Sequence, residues 1–279
     1  MIETCYRHPN VTTGVHCTRC GRPICTDCMV SAPVGYQCPE CVREVRGTWP
    51  RRRARLVLGR PGSITTTLLA INIAMFVVEM VYGRLSPTNG DLFNLGALYP
   101  PAIAQGHQYW RLFTAMFLHA GFLHLALNMY ALYLFGYLVE SAFGWRQFLV
   151  IYFVSGLLAS VTSFAFGPIT ELGVGASGAI VGVFGAWIAY NYRRRSNALA
   201  LANLQWALVM IALNALLPVF FHAVDWRAHV GGLLTGFIVA WLLEGIGPRA
   251  IQPIIRVCGI VAILGIGVVL TLSRASALA

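Results

Sequence analysis

Seven stretches of this chain are apolar for long enough to cross a hydrocarbon layer about 30 Å thick. They lie near Ile64–Tyr82, Phe122–Val139, Gln147–Phe166, Ala176–Tyr192, Leu199–Val219, Ala228–Leu243 and Ile254–Leu272. Composition agrees: 57% of the 279 residues are hydrophobic and 11% charged, which excludes an ordinary soluble domain and describes a chain whose solvent is largely lipid. The sequence therefore predicts an all-α polytopic membrane protein. The fourth and sixth spans are short and rich in glycine, so they are expected at the centre, packed against neighbours instead of facing lipid.

All 20 basic residues are arginine, and their positions set an orientation. With the N-terminus in the cytoplasm, Arg51, Arg52, Arg53, Arg55, Arg60, Arg146, Arg193, Arg194, Arg195, Arg249 and Arg256 flank the spans on the cytoplasmic side. Arg84, Arg111, Arg227 and Arg274 fall outside, and this asymmetry follows the positive-inside rule. The Arg51–Arg55 cluster reads as a topology signal within reach of anionic lipid, in preference to a nucleic-acid site. The first 60 residues are polar and hold no apolar core of a signal peptide, so a later segment is expected to direct targeting. A lysine-free chain with no organelle signal suggests a GC-rich genome and a bacterial plasma membrane.

Between the first two spans runs a long external connection, Gly83 to Gly121, with adjacent prolines at Pro100 and Pro101 and the pair Trp110-Arg111. It is expected to lie in the outer interface, with the indole in the apolar edge and the guanidinium reaching lipid phosphate.

Ionisable groups inside spans are costly, so each needs a function or a partner. His124 and Asn128, four apart, share one helical face at the start of the second span. Ser177 opens the fourth span in Gly175-Ala-Ser-Gly178, and His229 opens the sixth in Ala228-His-Val-Gly-Gly232. The arginine-based topology brings all four residues to one depth near the outer surface. A neutral histidine within hydrogen-bond reach can take the proton of a serine hydroxyl, and a tetrahedral intermediate needs donors aimed at its oxyanion. Ser177 with His229 supplies the first pair, and the Ser177 amide with His124 and Asn128 supplies the donors. Gly178 and Gly182 on one span, and Gly232 and Gly236 on the other, form small-residue faces that permit the close approach such a pair requires. Glu79, Glu140 and Glu244 lie near span ends, and no acidic pair of the kind used in proton relays is present, which argues against a transporter.

Taken together, Trp110-Arg111, His124-Leu-Ala-Leu-Asn128, Gly175-Ala-Ser177-Gly178 and Ala228-His229-Val-Gly-Gly232 followed by Gly236 resemble the rhomboid family of intramembrane serine proteases over about Ile64 to Glu244. The resemblance implies a six-helix bundle with one additional C-terminal transmembrane helix. It also implies Ser177 as nucleophile, His229 as general base, and an oxyanion bound by His124, Asn128 and the Ser177 amide. Substrates would be membrane proteins cleaved within transmembrane segments near the outer boundary. Family members often carry an aromatic residue one turn after the serine, packed on the histidine; this chain has Val181, so His229 is expected to be held more loosely. His119 matches another family histidine and is read as structural or supporting. Asp225, four residues before His229, is read as a helix N-cap rather than a third catalytic member. The competing functional class is a non-catalytic, rhomboid-like scaffold that binds client helices, for which Ser177 and His229 would have no use.

Seven of the eight cysteines precede residue 42. With one histidine they form four close pairs: Cys5 with His8, Cys17 with Cys20, Cys25 with Cys28, and Cys38 with Cys41. Eight soft ligands suit two closed tetrahedral zinc sites of structural type, and a segment this short has too small an apolar core to fold well without metal. A cytoplasmic location disfavours disulfides. Alternate pairing, Cys5, His8, Cys25 and Cys28 against Cys17, Cys20, Cys38 and Cys41, resembles a B-box-type cross-brace; sequential pairing is the other arrangement. His16 is left over as a surface residue. The expected organisation is a double-zinc module over 1–45, a basic linker over 46–62, a six-helix domain over 63–246, and an added helix and tail over 247–279. The module suits recruitment of a cytoplasmic protein partner or sensing of metal or redox state.

Overall fold

The computed structural model describes residues 3–32, 34–48, 62–83, 86, 88, 90–220 and 224–279. The arginine-rich part of the linker and Arg84 lie outside them. The chain divides into two compact units, Met1–Leu58 and Gly59–Ala279.

In the first unit, two short antiparallel ribbons, β1 (Glu3–Thr4) with β2 (Thr12–Thr13) and β3 (Val30–Ser31) with β4 (Tyr36–Gln37), precede helix α1 (Pro39–Thr48). Six cysteines and Ile24 form its buried cluster.

The second unit is all-α. Helix α2 (Ser63–Tyr82) leads into the long connection, which carries the short helices α3 (Asp91–Gly96), α4 (Pro100–Ala104) and α5 (Arg111–Thr114). Then come α6 (Phe122–Phe143), α7 (Trp145–Phe166), α8 (Ser177–Tyr192), α9 (Ala198–Phe220), α10 (Trp226–Glu244) and α11 (Gln252–Leu278). All seven apolar runs are helical, and six of these helices are long and apolar enough to cross a membrane, so the chain is a multi-pass membrane protein. The fourth run is the short central helix that its glycines led us to expect. Helix α8 has 16 residues, roughly 24 Å at about 1.5 Å per residue, and is short for a crossing. Most of its residues are buried, as a central helix requires, whereas α9 and α11 are each only 11% buried and face outward.

Helix ends inside an apolar bundle leave N–H and C=O groups to satisfy. The α2 start is capped from α6: the buried Glu140 carboxylate accepts from the N–H of Ile64 (3.1 Å) and Thr65 (2.8 Å) and from the Thr65 hydroxyl (2.7 Å). A carboxylate there also meets the positive end of the helix dipole. At α10 the N-cap is Asp225, which accepts from the N–H of Arg227 and Ala228 and from the Ser163 hydroxyl of α7. The capping role assigned to Asp225 is the one it plays.

The connection between α2 and α6 is not a surface strap. Its Leu98, Ile103, Ala104, Leu112 and Ala115 share a buried cluster with Leu158, Val161 and Phe164 of α7 and Ala275 of α11. Arg111 overturns the expectation that its guanidinium reaches lipid phosphate. It is 4% exposed and donates to the carbonyls of Asn94 and Ala97, each at 2.7 Å, and to the Gln108 side chain at 2.7 Å. A guanidinium has five donors in a rigid fork, so from α5 it can tie together three points of the connection, in and around its short helices. Trp110 stays 53% exposed, with its indole N–H bonded to the Leu95 carbonyl.

Candidate active site and metal-ligand clusters

Helices α7, α8 and α10 meet almost backbone to backbone. A Cβ at Gly232 would collide with the Gly178 carbonyl, and one at Gly236 with the Gly182 carbonyl, so α8 and α10 run parallel in close register. Gly185 sits against Leu233, and Gly231 against Thr162 of α7. The glycine faces read from the sequence are therefore the contact surfaces. Their register places Ser177, in the first turn of α8, beside the first turn of α10, which holds His229. A Cβ on Gly178 would stand 3.7 Å from the Ala228 carbonyl.

The other side of the site comes from α6. Gly175 has φ +121°, a conformation that favours glycine, and a Cβ there would lie 2.7 Å from His124 Nε2 and 3.6 Å from Asn128 Nδ2. Its own N–H donates to the Ala115 carbonyl at 2.9 Å, which ties this turn to the connection before α6. His124 and Asn128 thus border the Gly175–Gly178 turn, and all four residues singled out from the sequence gather at the starts of α6, α8 and α10. Ser177 and His229 are half-buried, and Asn128 is buried at 6% exposure.

The polar atoms here are largely free. His229 Nδ1 and Asn128 Nδ2 are buried with no hydrogen-bond partner among the described residues. Ser177 and His229 are likewise not bonded to each other, a looseness common in catalytic pairs before substrate enters. Val181 is half-buried, and among the described residues no aromatic ring stacks on His229. Beside this group the fully buried His119 presents its ring edge to His124, centroids 5.3 Å apart. Glu79 of α2 receives the His119 N–H. Nothing in the apolar periodicity distinguished Glu79 from a residue at a wet span end.

The eight N-terminal ligand candidates collect into two groups whose donor atoms lie within 4.8 Å of one another: Cys5, His8, Cys25 and Cys28, and Cys17, Cys20, Cys38 and Cys41. This is the alternate order, not the sequential one. His8 turns Nδ1 toward three sulfurs, at 3.2 Å from Cys25, 3.4 Å from Cys28 and 3.9 Å from Cys5. In the second group burial pushes the Cys41 thiol up to about 12. Burial also opposes ionisation of Cys17, yet the N–H groups of Cys20, Cys38 and Arg19 draw it down to about 6. Burial and backbone donors thus pull the thiols of this group in opposite directions. His16 is exposed and paired with Glu3 at 2.8 Å, outside both groups.

The fold is that of a polytopic α-helical membrane protein, with Ser177, His229, His124 and Asn128 gathered near the starts of three helices. Residues 106–245 match the model of the Rhomboid domain, about half of the chain. RHOMBOID-like protein 6, mitochondrial, of Arabidopsis thaliana is 40% identical over 170 residues, 57% of this chain and 52% of that protein. Rhomboid protease GluP of Bacillus subtilis is 36% identical over 184 residues, 65% of this chain and 35% of its own length. The chain thus spans about half or less of these two relatives. Putative rhomboid protease YdcA of Bacillus subtilis is 31% identical over 150 residues, 54% of this chain and 71% of that protein. The chain belongs to the rhomboid family. Its relatives come from a plant as well as a bacterium, so the similarity lends no weight to a bacterial source.

Proposed function

We propose that this protein is an intramembrane serine endopeptidase that cleaves transmembrane segments of other membrane proteins. The observation that carries the reading is the convergence of Ser177, His229, His124 and Asn128 on one turn through glycine contacts that have no slack. Two of the relatives are named as rhomboid proteases or putative ones.

In this reading Ser177 Oγ attacks the scissile carbonyl as His229 takes its proton, forming one C–O bond and placing negative charge on the former carbonyl oxygen. The Ser177 N–H at the helix start, Asn128 and His124 donate to that oxygen. Collapse breaks the C–N bond, and His229 returns the proton to the leaving amine. Water, activated by the same histidine, then hydrolyses the acyl-enzyme. Asp225 is occupied by Arg227, Ala228 and Ser163, so the pair works as a dyad.

The N-terminal clusters suit two structural zinc ions. Each offers four donors of the soft type zinc prefers, which closes the coordination sphere and leaves no position for chemistry. Arg146 in the first turn of α7, the Arg193–Arg195 run just after α8 and Arg249 beyond α10 lie toward the end of the bundle opposite Ser177. That supports a cytoplasmic N-terminus, a site at the outer boundary of a plasma membrane, and a zinc module facing cytoplasmic partners.

The test is cleavage of a single-pass model substrate by purified protein in lipid, comparing wild type, Ser177→Ala and His229→Ala. Cleavage by wild type alone is expected. Equal cleavage by all three would overturn the assignment, and client binding without cleavage by any would favour the scaffold.

A further inference from the structure

Helix α2 supplies none of the proposed catalytic residues, yet it buries a carboxylate next to them. Glu79 is 1% exposed, and its only side-chain contact of hydrogen-bond length among the described residues is the His119 N–H, 3.2 Å from each oxygen. The other acidic residues of the spans are accounted for differently. Glu140 takes the amides at the α2 start, and Glu244 pairs with Arg193 and Arg194 at 3.3 and 2.6 Å. A carboxylate has about four acceptor sites, and burying one for a single donor is expensive. Such a group persists where what it holds in place matters.

What it holds leads to the site. His119 has 0% exposure, and neither ring nitrogen has a hydrogen-bond partner among the described residues, so its position rests on the Glu79 contact and on packing. Its ring meets the His124 ring edge-on, with planes 64° apart. His124 Nε2 in turn lies against Gly175, two residues before Ser177. One turn before Glu79, Met75 packs against the buried cluster of Phe93, Ala97 and Leu118, which Val174 also joins; Leu118 and Val174 are the chain neighbours of His119 and Gly175. Two independent contacts, one polar and one apolar, thus run from the outer end of α2 to the turn that carries the serine.

We propose that Glu79 is a positioning residue: by holding the His119 main chain it sets the His119 ring against His124 and so fixes the oxyanion side of the Ser177 site. The inference rests on the serine-protease reading. Glu79 touches no reacting atom, so its loss acts on the rate of the chemical steps and not on substrate affinity.

The experiment uses the full-length protein in lipid vesicles, with two readouts: the rate at which a fluorophosphonate labels Ser177, and kcat and KM on a single-pass substrate. Glu79→Ala should lower labelling and kcat by about ten- to a hundredfold, the scale of a small misplacement of catalytic groups, with KM unchanged. Glu79→Gln keeps a carbonyl oxygen to accept from His119 and should restore most of the rate. His119→Ala leaves the Glu79 contact intact but deletes the ring, and should reproduce the loss even if Glu79→Ala fails to fold. His119→Phe keeps an edge against His124 and should recover it. Rates within twofold of wild type for both alanine variants, a raised KM with unchanged kcat, or Glu79→Gln as slow as Glu79→Ala would each overturn the proposal. Wild type that labels no faster than Ser177→Ala would instead overturn the serine-protease reading on which it stands.

Discussion

Among the described side chains of the first unit, the buried cluster is six cysteines and a single aliphatic residue, Ile24, whereas the helical unit buries a continuous cluster of leucine, isoleucine, valine and aromatic residues from α2 to α10. Neither region treats polar atoms as the other does. The first gathers its donors into two compact groups, each with its ligand atoms within 4.8 Å of one another. The second bonds some of its polar groups across elements, as at Glu140 and Arg111, and leaves His119, Asn128 and His229 with buried nitrogens that have no partner among the described residues. A small region without an apolar core must draw its stability from what its polar groups bind. A large apolar bundle can carry unpaired polar groups, each costing about 1–3 kcal/mol, because packing elsewhere offsets them.

If that contrast is right, removing metal should affect one region and spare the other. With a strong chelator, residues 3–48 should lose protection against proteolysis while the helical unit stays intact, since structural zinc contributes on the order of 10–16 kcal/mol to small domains. Elemental analysis should find two ions per chain. A metal-free module that resists protease as well as the loaded one would end the comparison.

Within the helical unit, Asn128→Ala should lower kcat by up to about 10²–10³-fold, the usual cost of an oxyanion donor, with the helices still folded. An unchanged rate would move Asn128 to a structural role. Gly236→Leu should cost about 1–3 kcal/mol or more of overpacking, since its side chain would meet the Gly182 carbonyl, and would separate α8 from α10. The measurement is thermal unfolding alongside serine labelling, and a variant with wild-type behaviour in both would show that the close approach is dispensable. The smallest effect is expected at Glu140→Gln. Loss of charge at the α2 start should lower stability by about 0.3–2 kcal/mol and leave labelling of Ser177 unchanged.

Most of the architecture was legible from runs of apolar residues, because a span must be apolar over its whole length and its ends are marked by polar residues. The gathered site was legible too, since Ser177, His229, His124 and Asn128 sit at span starts where polar residues are few enough to be counted. The candidate metal ligands were visible as pairs, but not their partnering, because spacing along the chain is equally compatible with sequential and alternate sets. Arg111 was misread for the same kind of reason: next to Trp110 it looked like an interface anchor, and the carbonyls of Asn94 and Ala97 that claim it come from a loop whose path no periodicity reveals. Glu79 and Glu140 both looked like residues at wet span ends, and only their partners on other elements distinguish them.

The sequence by itself determined that this chain lives in lipid, how many helical runs it has, which polar residues lie in them, and that its first residues carry soft metal ligands. Each of these is a property of one segment, set by its own composition and spacing. Only the tertiary structure decided that the candidate ligands interleave, that Arg111 turns inward, and that Glu79 of α2 meets His119. Those depend on which surfaces meet, and in an apolar bundle that is settled by where glycine lets backbones touch and by which buried polar group can find a donor across the gap.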